Sequence, residues 1–263
     1  MNEQIVSAGY DAVYAAAGDS PTLQRLWREH ACGPDFPGEF HHISFVTLAG
    51  LRRMAAELRL GPGQTLVDLA CGMGGPALWL ARETGAHLVG VDVSAVGVRL
   101  AGERSKRLGL SDTARFVTGS FADTGLGDSA ADGIASEDAL QYAPDKRAAF
   151  VEAARILKPG GRLVFTAFEL DPERVASVPV LGADPAGDYR PALDDAGFDV
   201  DVYEEVAGWP EPMTSAYRAL IDAKDALVRE MGEAAVAALL GELTLTLEVR
   251  PYRRRVLACA TKR

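Results

Sequence analysis

Cysteine is scarce in this chain: Cys32, Cys71 and Cys259 are three among 263 residues, odd in number and without a C-x-x-C spacing. That leaves no disulfide framework and no cysteine metal site. The expectation is a reduced, cytoplasmic setting and no metal. Basic charge is short as well, 27 Lys and Arg against 37 Asp and Glu, for a net charge of −10. This argues against nucleic acid as a partner, because that binding rests on many basic contacts to phosphate. The one basic run, Arg250 to Arg255, reads as a solvated or salt-bridged turn and strand edge. No apolar run approaches the roughly 20 residues that span a bilayer. Met1 to Val6 lack the positive region and apolar core of a leader, so no membrane is expected. Internal repeats and low-complexity tracts are absent, and histidine is limited to His30, His41, His42 and His87.

What is present is ordinary soluble composition, 48% hydrophobic and 24% charged, in a length that fits one large domain or a domain with an appended lid. The stretch Thr65 to Ala81 organises it. Thr65 to Leu69 are short and apolar, as a strand buried on both faces should be. Ala70, Gly72, Gly74 and Gly75 follow, leaving backbone against which a ligand can lie. Pro76 suits the first turn of a helix, whose unpaired N–H groups attract an anionic group. Asp92 lies twenty residues past Gly72, at the end of the apolar run His87 to Val91. A carboxylate there can accept hydrogen bonds from both hydroxyls of a ribose, worth roughly 1.5–3 kcal/mol each. The unit therefore reads as a nucleoside site. Asp68, inside the strand where a dinucleotide fold carries an apolar residue, points to a ligand with a free amino group.

These residues resemble a known family. Asp68-Leu-Ala-Cys-Gly72-Met-Gly74 is similar to the D-x-G-x-G-x-G motif of class I S-adenosylmethionine-dependent methyltransferases, with Ala70 in place of the first glycine. The extended form, Cys71 to Ala77, most resembles enzymes acting on sterols, tocopherols, sugars and polyketide-type products, and Leu157-Lys-Pro-Gly-Gly161 resembles the family's third motif. The resemblance implies methyl transfer from S-adenosylmethionine to oxygen or carbon of a small, largely apolar metabolite in secondary metabolism, with S-adenosylhomocysteine as product. Asp68, Ala70, Gly72 and Gly74 would hold the methionine part, Asp92 and Val93 the ribose. Ser120 and Phe121 would meet the adenine, Ser120 standing where the family often has an acid. The same resemblance implies an α/β, doubly wound, seven-stranded Rossmann-like sheet of order 3-2-1-4-5-7-6 with its last strand antiparallel.

Along the chain, residues 1–60 show helical patterns without strands and read as a lid over the substrate. A helix over Pro21 to His30 and another carrying Val46, Leu48, Leu51, Met54, Ala55 and Leu58 are expected. Residues 61–263 read as the cofactor-binding core, strands alternating with helices. A helical insertion at about 209–241 holds helices from about Thr214 to Met231 and from Glu233 to Leu240. A homodimer is compatible with such a lid.

For the chemistry, His42 and His41 are candidates because histidine is the usual base near neutral pH. In extended backbone the two point in opposite directions, so one at most is expected to reach the acceptor. Asp138 and Tyr142, at the mouth of the fourth strand, complete the catalytic candidates. Asp138 would orient a hydroxyl or the His42 imidazole, while Tyr142 is a poor base unless its pKa falls from about 10. Tyr10 or Tyr14 would close over the methionine carboxylate. Similar sugar methyltransferases often carry a histidine near positions 141 and 142. Its absence here motivates an alternative, a cyclase-type enzyme of the same fold using the cofactor structurally. A nicotinamide-dependent enzyme is disfavoured by Asp68 and by Lys158 to Gly161.

Overall fold

Leu66, Val67 and Leu69 are buried and alternate between the two faces of the first strand, β1 (Thr65–Leu69). A strand covered on both sides needs neighbours on both edges. β1 accordingly pairs in parallel with β2 (His87–Asp92) and β4 (Ala131–Glu137). The sheet continues outward through β3 (Ala114–Thr118) and β5 (Leu157–Leu170), and closes with β7 (Arg253–Lys262) inserted antiparallel between β5 and β6 (Phe198–Glu205). The order is β3-β2-β1-β4-β5-β7-β6, as expected from the motifs. The computed structural model describes residues 3–18, 20–175 and 186–263.

The helices in chain order are α1 (Glu3–Ala17), α2 (Pro21–Trp27), α3 (Leu48–Leu58), α4 (Gly75–Thr84), α5 (Ala95–Arg107) and α6 (Lys146–Ile156). After them come the single turn α7 (Pro172–Val175), α8 (Arg190–Asp195), α9 (Pro210–Asp222), α10 (Lys224–Met231) and α11 (Glu233–Val249). Leu51, Met54 and Leu58 of α3 and Leu78 and Leu80 of α4 bury against one face of the sheet, Phe150 and Ile156 of α6 and Leu193 of α8 against the other. The first of these cores runs on without a break into α2, α9, α10 and α11, so the helices before β1 and those after β6 pack on each other. Among the described residues no helix is long and apolar enough to cross a membrane.

Several boundaries differ from expectation. α2 stops at Trp27 and opens into a π-helical turn, Arg28–Cys32, which contains His30. Thr47 caps α3 by accepting the Gly50 N–H at 3.1 Å, which leaves Val46 outside the helix. The helix expected over Thr214 to Met231 breaks at Ala223 into α9 and α10. α11 runs past Leu240 to Val249 because Leu239, Leu243, Thr246 and Val249 keep its buried stripe going while Gly241 faces outward. The Lys158 to Gly161 turn is taken into the start of β5: Leu157 pairs with Ala131, the register shifts, and pairing resumes at Gly133 with Arg162.

Candidate functional site

At the carboxyl end of β1 the chain turns under β2. The N–H groups of Ala70 and Cys71 both donate to the Val91 carbonyl, at 2.8 and 3.0 Å. Ala70, Gly72 and Gly74 then hold φ angles of 64°, 50° and 76°. Tyr14 of α1 lies over Gly72, where a Cβ would come within 2.9 Å of its hydroxyl. Gly74 and Gly75 answer to the protein itself. A Cβ on Gly75 would sit 2.3 Å from the Phe40 carbonyl oxygen, and one on Gly74 would sit 2.9 Å from the Ala101 Cβ. Gly74 is backed by Ala101 and Phe116, while Gly72 and Met73 line the cavity.

Asp92 closes the other side of this loop. Its Oδ2 accepts the Gly72 N–H at 2.7 Å and its Oδ1 the Ser94 N–H at 2.8 Å. Each oxygen keeps a second lone pair, and the carboxylate lines the cavity beside Val93, Ser120 and Phe121. Ser120 Oγ accepts the Asp123 N–H at 3.1 Å and holds its loop closed. On the far side of Asp92, Ser94 caps α5 and donates to Asp11 of α1 at 2.5 Å.

Asp68 sits one layer below this wall. It is 1% exposed, and apart from the neighbouring Glu137 carboxyl neither of its oxygens has a hydrogen-bond partner. The cavity wall above it is formed by Glu137, whose Oε1 also has no donor. Burial and the neighbouring Glu137 push the Asp68 carboxyl up, and burial followed by Asp138 pushes Glu137 up to about 8. Glu137 is thus the carboxyl at the cavity wall and Asp68 the one behind it.

At the opposite end the cavity is apolar and aromatic, with Trp27, Phe45, Phe168, Met213, Tyr217 and Leu243 on its walls. His41 and His42 line it too, but both are fully engaged. His41 donates from Nδ1 to the Gly38 carbonyl at 3.3 Å, and its Nε2 accepts from Arg104 at 2.6 Å. Burial and that guanidinium hold the imidazole down at about 4. His42 accepts the Ser44 N–H on Nδ1 at 3.1 Å and turns Nε2 toward Cys32 Sγ, 3.6 Å away. Burial holds it at about 3. The ring nitrogens of both histidines are thus engaged by protein groups. Asp138 is committed as well. Arg255 of β7 donates to it from Nε at 2.8 Å and from a terminal nitrogen at 3.1 Å, and the Phe45 N–H donates at 2.7 Å. Tyr142 donates to Glu242 of α11 at 3.1 Å. Burial and that acid raise its phenol above the usual range.

Glu137, Glu242 and Arg253 are therefore the polar groups that the sequence reading missed. Arg253 stacks 4.5 Å from the centroid of Phe168, and its Nε is buried without an acceptor. Glu242 had a visible signal, since it falls between Leu239 and Leu243 on the apolar stripe of its helix. Glu137 ends a buried strand beside the strand that carries Asp68.

A doubly wound sheet whose central strand ends in this loop, with an acid at the tip of the next strand and bare backbone between, defines a Rossmann-like nucleoside-binding protein. Residues 67–165 match the methyltransferase domain family. The 27-O-demethylrifamycin SV methyltransferase of Amycolatopsis mediterranei is 27% identical over 218 residues, covering 79% of this chain and 78% of that one. A sterol 24-C-methyltransferase of Gibberella zeae is 34% identical over 116 residues, covering 44% of this chain and 30% of that one, so the match spans about a third of the sterol enzyme's length. The crystal structure of the cyclase SpnF superposes with a TM-score of 0.77 at 24% identity, over 100% of this chain and 97% of that one. Residues 67–165 thus carry a methyltransferase domain, and the chain around them is similar to class I S-adenosylmethionine-dependent methyltransferases.

Proposed function

We propose that the protein moves a methyl group from S-adenosylmethionine to oxygen or carbon of a small, largely apolar metabolite of secondary metabolism. The observation that carries this is a pair of buried acids, at the end of a glycine cradle, that have no partner but each other. A buried carboxyl without a donor is costly, and a ligand that brings an ammonium group removes the cost. The remaining positions fit the same molecule. Gly72 offers bare backbone, Asp92 offers lone pairs to two hydroxyls, and Ser120 and Phe121 flank the place of a base. When bound, the cofactor supplies an already activated methyl, so this chain has chiefly to align an acceptor. Such orientation is worth roughly 7–11 kcal/mol of a barrier. Trp27, Phe45, Phe168 and Tyr217 exclude water from the acceptor end, and Glu242, Tyr142 and Arg253 orient its oxygen. The helices α1 to α3 and α9 to α11 form the cover over that end. The free cysteines and acidic surface suit a cytoplasmic enzyme.

Calorimetry with S-adenosylhomocysteine tests this reading. Micromolar binding is expected, and Asp92→Ala should weaken it at least tenfold, the loss of one charged hydrogen bond of about 1.5–3 kcal/mol. No heat at millimolar ligand would end the reading, while unchanged affinity in a folded Asp92→Ala variant would remove the ribose assignment. A second reading, ring closure without methyl transfer, is favoured by one observation: neither histidine is free to act as a base. Mass spectrometry separates the two, because cyclisation leaves product mass unchanged and transfer adds one methyl.

A further inference from the structure

The parallel register sets Asp68 of β1 opposite Ala135 of β4, and Glu137, two residues further along β4, projects from the same face. The longer side chain reaches back, and the two carboxyls meet above the sheet. Glu137 faces the cavity and Asp68 lies behind it. The charged groups that act on this pair add no cation. Asp92 stands on the β2 side, the Cys71 thiol in the loop, and Asp138 next along β4, its charge already matched by Arg255 of β7. Two buried carboxylates in contact cannot both ionise at ordinary cost, so the pair keeps one proton between them.

We propose that Glu137, backed by Asp68, receives the ammonium group of the cofactor, and that this cation displaces the proton the two acids share. The proposal rests on the cofactor reading above. The amine arrives as an ammonium and keeps its three protons. The shared proton passes to solvent, leaving two carboxylates about one cation. Glu137 thereby becomes the group that touches the ligand, and Asp68 a positioning residue. Glu137, the member of the pair at the cavity wall, holds its proton up to about pH 8. Binding therefore tightens with rising pH, by up to about tenfold per unit below 8, and levels off above it. His41 and His42 are neutral from about pH 4 upward and contribute nothing in that range.

The test is titration calorimetry of the full chain at pH 6.5, with S-adenosylhomocysteine, in buffers of different ionisation enthalpy. The wild type should release about one proton per ligand bound. The probe 5′-methylthioadenosine has the nucleoside but no amino acid, and should bind with no release. Glu137→Gln should bind S-adenosylhomocysteine with the release abolished. Should that variant fail to fold, the infrared difference spectrum of the wild type decides, by loss of a protonated-carboxyl band on binding. Binding of S-adenosylhomocysteine without release, or equal release with methylthioadenosine, would overturn the proposal and leave the cofactor reading intact. Absence of any binding would overturn both.

Discussion

Ala70 holds a φ of 64°, a conformation that costs a side chain about 1–2 kcal/mol and a glycine almost nothing. Its N–H is held by Val91, so the loop imposes the angle. Ala70→Gly restores what the family motif has at this position, and the relief exceeds the added freedom of the unfolded chain. We expect a gain of about 0.5–1 kcal/mol with cofactor affinity unchanged, read as a raised melting temperature. At the same scale, the two histidines are engaged by partners that their residue type does not announce. His41 is committed by Arg104, which lies 63 residues further along the chain, and His42 by the backbone two residues on. Nothing in the spacing of 41 and 42 encodes either bond.

α1 meets the cofactor edge through one acid. Asp11 accepts from Ser94 Oγ at 2.5 Å and from the Val96 N–H at 3.2 Å, so an α1 carboxylate sits at the positive end of α5. Asp11→Ala should free α1, with its amides exchanging at least tenfold faster by mass-detected hydrogen exchange, while the α3 amides stay protected. Bound S-adenosylhomocysteine should slow α1 in the wild type through Tyr14 over Gly72. Equal protection of α1 with and without Asp11 would show that this contact does not hold it. Elements such as β1, the glycine turn and α4 were legible because each is written in consecutive residues: a buried strand, positive φ positions, a proline at the first turn. The Asp68 to Glu137 contact was not, because it depends on the register between two strands whose paired residues, such as Asp68 and Ala135, are 67 positions apart in sequence. Glu242 escaped for the same reason, since only the crossing of α11 over the cavity turns a stripe position into a wall.

Opposing titrations set the stability of the whole molecule. His41 and His42 are held at about 4 and 3 in the fold against 6.5 in the unfolded chain. Between those values the unfolded state binds more protons, and stability rises with pH up to about 6.5. Glu137 runs the other way, keeping its proton to about 8 against 4.5 unfolded, so stability falls as pH rises across that interval. Below 6.5 the two histidines are opposed by Glu137 and by the likewise raised Asp68, so the two effects offset each other there. Above it only the acid pair remains. The free protein should lose stability from pH 6.5 toward pH 8. Saturating S-adenosylhomocysteine should abolish the alkaline fall. A flat melting temperature from 6.5 to 8 by scanning calorimetry would contradict this.

Asp138 joins three distant stretches at one buried charge: the exit of β4, the backbone at Phe45 and Arg255 near the carboxyl terminus. Pinned this way, the Phe45 segment hangs from the margin of the sheet. Trimming the terminal strand would release that segment together with the pairing of β5 and β6, because the arginine that anchors it belongs to β7.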